Sequence, residues 1–147
     1  MVHRLTEPAL KNIIMKIIKL LCIISFLLIS SLGDNGQPII IILFLYCYQL
    51  INDLLHFTTT PSIFWEGIIV IPVIGTLIIL AFFKEYKNKF LLYLCILALL
   101  ISIIELTGII NSSRSTVRST LSFTIPFIIF IISSLILIIN YSKKRET

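Results

Sequence analysis

Apolar residues in this chain gather into five runs, near 13–32, 39–57, 63–83, 90–110 and 121–141, and nearly every charge falls between them. A helix needs roughly 20 apolar residues to cross a hydrocarbon core of about 30 Å, a length that most of these runs approach. Lipid admits only helices and closed barrels, because each satisfies its own backbone groups. Barrel strands alternate polar and apolar positions, whereas Ile39-Ile40-Ile41-Ile42-Leu43-Phe44-Leu45 holds no polar member. The pattern therefore predicts an all-α, polytopic transmembrane helical bundle, with residues 1–147 as one integral membrane domain.

The gaps carry the turn formers that such a bundle requires. Gly33-Asp34-Asn35-Gly36-Gln37-Pro38 ends the first run, Thr58-Thr59-Thr60-Pro61 the second, and Lys84-Glu85-Tyr86-Lys87-Asn88-Lys89 the third. Pro72 lies inside the third run, with Gly75 one turn beyond. A proline removes one backbone bond, so a kink is expected about one turn before it.

Composition agrees with the pattern: hydrophobic residues make up 58% and charged residues 13%, against roughly 25% charged in a soluble domain. The net charge of +5 comes from basic residues scattered along the flanks of the runs, not gathered on one face. That spread matches anionic headgroups and not a nucleic acid. Trp65, Tyr86 and Tyr141 are the expected interfacial anchors.

Lysine and arginine collect in cytoplasmic loops, so their distribution bears on topology. With five crossings, Arg4, Lys11, Lys16, Lys19, Arg114 and Arg118 face one side and Lys84, Lys87, Lys89, Lys143, Lys144 and Arg145 the other, an even split. If one of the first three runs does not cross, only Arg114 and Arg118 lie opposite all the rest. The favoured arrangement is four spanning helices plus an N-terminal helix that is interfacial or partly inserted, with five spanning helices as the alternative. The first run is singled out because Lys16 and Lys19 leave only Leu20 to Leu32 free of charge. Its stretch from Met15, basic and then apolar with small residues before Asp34, also has the layout of a secretory signal. Cleavage there would put the basic tail outside, against the charge rule. The shortness of the chain and its loops points to a bacterial inner membrane with a cytoplasmic C-terminus.

The most distinctive chemistry is a polar stripe in the second run. At 100° per residue, Tyr46, Gln49, Asn52, Asp53 and His56 occupy about a third of the helix circumference, a face expected to turn from lipid. Glu105 in the fourth run is expected at matching depth, about 8 Å from its helix end against about 6 Å for Asp53. An ionisable group at that depth costs a few kcal/mol or more unless paired or hydrated, and Arg114, Arg118 and His56 are the partners within reach.

No catalytic set of nucleophile, base and oxyanion donors is recognisable, and one histidine with two acids is too few for a metal site. Cys22, Cys47 and Cys95 stand alone in apolar runs without redox or metal spacing. No cofactor and no enzymatic activity are expected. The reading is a small membrane subunit or accessory protein that binds or senses a partner, or further copies of itself, through helix faces within the bilayer. The alternative is a small oligomeric transporter or channel with a proton or cation path through Asp53, His56 and Glu105.

Overall fold

The computed structural model describes residues 3–32, 36–56, 65–82, 89–107 and 117–143. They form α1 (His3–Leu28), α2 (Ile39–Leu55), α3 (Val70–Phe82), α4 (Lys89–Thr107) and α5 (Val117–Lys143). A 3-10 helix, Trp65–Ile69, runs directly into α3. No strand occurs among the described residues, where extended pairing is confined to an antiparallel bridge between Ser30 and Pro38.

Two element bounds depart from the apolar runs, each for a visible reason. The first helix begins at His3, upstream of its run, and stops at Leu28. Beyond it the chain turns out of the helix, Ile29 N–H reaching back to the Phe26 carbonyl at 3.2 Å, and the backbone then finds partners elsewhere. Ile39 N–H donates to the Ile29 carbonyl at 2.8 Å, Ser31 N–H to Gln37 at 2.7 Å, and Leu32 N–H to Thr107, the last residue of α4, at 3.1 Å. Gly36 turns this hairpin with φ at 52°, a conformation open to glycine without penalty. The third run is divided: Pro72 has no N–H to offer the carbonyl four residues back, and the stretch before it winds as a 3-10 helix. The Thr76 hydroxyl donates to the Pro72 carbonyl at 2.6 Å.

Four helices close a ring: α1 lies against α5, α5 against α4, α4 against α3, and α3 against α1. The α1–α5 seam is the most extensive of these and is antiparallel. Lys19 meets Tyr141, Cys22 meets Ser134 and Phe26 meets Phe130, so residues advancing along α1 meet residues receding along α5. Helix α2 stands outside the ring, against the 3-10 helix and the near edges of α1, α3 and α4.

Each ring helix contributes one stripe at helical spacing. These are Met15, Cys22, Phe26 on α1, Val70, Val73, Leu80 on α3, Leu92, Ile96, Leu99, Ile103 on α4, and Phe130, Leu137, Tyr141 on α5. The remaining faces are also apolar. Leu20, Ile71, Leu97 and Ile132 all stand exposed, and Phe82 and Phe90 are each 78% exposed. Of the five helices, α4 over Phe90–Thr107 and α5 over Leu121–Ser142 are long and apolar enough to cross a membrane.

Candidate functional site

The orientation of α2 is set by its first turns. Ile39, Ile42 and Leu43 are buried against the ring, and the same line continues through half-buried Tyr46, Leu50 and Asp53. Gln49, Asn52 and His56 are displaced to one flank and exposed. The expectation that the whole stripe turns inward is thus corrected: it straddles an edge, and only its Tyr46 and Asp53 members lie toward the bundle. The hydrophobic anchor at the start of the helix fixes the rotation, and the polar residues follow it.

Two side-chain contacts of the stripe run along its own helix. Gln49 Nε2 donates to Asp53 Oδ1 at 3.4 Å, an i,i+4 contact, and His56 Nδ1 lies 3.0 Å from the Asn52 carbonyl. The His56 backbone N–H closes the helix on the same carbonyl at 3.0 Å. Glu105 is exposed on α4, just before its terminal Thr107, while its neighbour Ser102 is buried and donates to the Ala98 carbonyl at 2.8 Å. Among the described residues no group of three His, Cys, Asp or Glu side chains could hold a metal ion. Arg114 and Tyr86 lie outside the described residues, as do the side chains of Trp65 and Arg118.

A second polar constellation lies in the α1–α5 seam, and it is buried. Cys22 Sγ sits 3.4 Å from Ser134 Oγ, and the Ser25 hydroxyl donates to the Cys22 carbonyl at 3.0 Å. Ser133 donates to its own helix, at 2.8 Å to the Ile129 carbonyl and 3.0 Å to that of Phe130. On one side of this layer Phe26 and Phe130 pack with ring centroids 5.9 Å apart, and on the other the Lys19 ammonium lies 5.7 Å from the centre of the Tyr141 ring. Tyr141, expected as an interfacial anchor, is buried beneath that lysine. Sequence reasoning noted Cys22 as a lone thiol and did not pair α1 with α5. Small residues on both partners let the two helices approach closely, and their spacing was the available signal. No buried side-chain nitrogen or oxygen among the described residues lacks a hydrogen-bond partner.

Comparison with protein families, with curated proteins and with solved structures finds no match to this chain.

Proposed function

We propose that this chain is a small integral membrane subunit that holds or senses a partner protein within the bilayer and carries out no chemistry of its own. The observation that carries this reading is the outer surface of the ring, where large aliphatic and aromatic side chains stand exposed on every helix. A monomer in water rarely shows a contiguous apolar patch above a few hundred Å². Acyl chains and other transmembrane helices are the surroundings such a surface fits. The hydroxyls within the apolar bands support the same reading, since Thr76, Ser102, Thr107 and Ser133 each donate to a carbonyl of their own helix. In lipid that is the standing requirement on a polar group.

The reading places the C-terminus on the cytoplasmic face of a bacterial inner membrane, where Lys143, Lys144 and Arg145 satisfy the positive-inside rule. A proton or cation route through Asp53, His56 and Glu105 has weaker support, because His56 and Glu105 are exposed and His56 bonds within α2. Two measurements test the proposal. Membranes holding the protein are washed in alkaline carbonate, and the chain is expected to stay in the pellet; release into the wash defeats the membrane reading. Purification in mild detergent is then expected to bring a second protein down in fixed ratio. Repeated recovery of this chain alone defeats the subunit role and leaves the membrane reading standing.

A further inference from the structure

We infer that α2 does not cross the bilayer but starts near mid-depth and returns to the surface opposite Lys19 and Tyr141. There it lays one flank on the acyl chains and turns Gln49, Asn52 and His56 to headgroups and water. This inference rests on the membrane reading above and adds which apolar run is set apart.

The first argument is one of parity. Helices α1 and α5 are antiparallel, so if both cross, the chain crosses an even number of times between the start of one and the end of the other. If the four helices of the ring α1–α3–α4–α5 are the crossings, α2 is the helix left over.

The second argument is one of reach. Lys19 lies level with Tyr141, close to the end of the apolar stretch of α5. From Lys19 to Leu28 the helix rises about 14 Å, and the four residues to Leu32 add at most about 13 Å. The total matches the thickness of a hydrocarbon core, and Leu32 arrives at Thr107, the far end of α4. Four non-helical residues at that depth are tolerated because their backbone is paired and Ile29, Ser30 and Ile39 are buried. Ile39, bonded to Ile29, therefore begins α2 near mid-depth, about 15 Å from the Lys19 level. The 3-10 helix and α3 together span about 30 Å. They lead through residues 83–88 to Lys89, the end of α4 opposite Thr107, so Trp65–Ile69 belongs to the far surface. It is the 3-10 helix, more than α3 itself, that α2 packs against.

The third argument is chemical. Phe44, Tyr48, Ile51 and Leu55 form one exposed apolar line on α2. The exposed Gln49, Asn52 and His56 form another, roughly 100° further round the helix. A crossing helix would press that polar line against acyl chains, whereas a helix that runs from mid-depth into the interface gives each line its own solvent. Charge agrees independently. With α2 not crossing, every lysine and arginine except Arg114 and Arg118 lies on one side, and with α2 crossing the split is even.

The test uses the full chain with its three native cysteines replaced by alanine, carrying Gln37→Cys, His56→Cys or Ser142→Cys singly. Each is treated with an impermeant maleimide in sealed membrane vesicles of one orientation and again after the vesicles are opened. Gln37→Cys and His56→Cys are expected to label from the same side, and Ser142→Cys from the other alone. Labelling of positions 37 and 56 from opposite sides overturns the inference while leaving the membrane reading intact. So does a His56→Cys that reacts from neither side in folded protein, since a second copy or another protein would then cover the flank. Release by the carbonate wash overturns both readings together. If alanine replacement lowers recovery, the same comparison is made with the native cysteines retained and the parent chain as the blank.

Discussion

The α1–α5 seam and the second half of α2 are built from similar residue types and end in opposite environments. In the seam, small residues allow close approach and the polar atoms find partners in the interior, among them the Cys22–Ser134 contact between helices. In α2 beyond Tyr46 no residue is fully buried, Leu54 and Leu55 are 74% exposed, and Gln49 and His56 reach Asp53 and the Asn52 carbonyl of the same helix. A polar residue in an apolar run therefore has two structural uses, and what separates them is whether small neighbours let a second helix come near.

Substitutions can break this contrast. The largest effect is expected at Phe130, fully buried against Phe26. Phe130→Ala should lower stability by on the order of 3 kcal/mol in detergent-titrated unfolding. Ser134→Leu forces extra volume into the seam and is expected to cost about 2 kcal/mol. Lys19→Met removes the ammonium from the Tyr141 ring and keeps much of the stem, so a loss of about 0.5–1 kcal/mol is expected in the same assay. Leu55→Ala touches only the periphery and should stay within about 0.5 kcal/mol of the parent. If it destabilises as much as Phe130→Ala, the second half of α2 is packed in the functional state and the contrast fails. Smallest of all, Asp53→Asn is expected to leave proton and cation flux in proteoliposomes unchanged. A flux that depends on Asp53 would restore the pathway reading.

The helical class was legible from the absence of alternation in runs such as Ile39–Leu45, and most helix bounds follow their runs closely. The packing was not. Helix α4 is apolar on all sides, so the stripe from Leu92 to Leu106 that faces the ring carries no sequence contrast with Leu97 or Ile101, which face out. The seam joins the first helix to the last, and pairing at such separation leaves no local pattern. Charge asked for one run to be set apart and pointed to 13–32, on the count of residues free of lysine. Of the described helices α1, α2 and α3 all fall short of α4 and α5 in length or apolarity, so that run is not distinguished from 39–57 and 63–83. Within the candidate site, the composition of the α2 stripe was readable but its rotation was not, because Ile39, Ile42 and Leu43 decide it from a turn or more away.

Because α1 finds its principal neighbour in α5, it is made well before the helix that completes its packing. Until α5 emerges, Cys22, Ser25 and Phe26 have no permanent partner, and the end of α1 waits in the same way for Thr107. A nascent chain halted before α5 should thus hold α1 loosely, open to degradation or to a surrogate helix from elsewhere in the membrane.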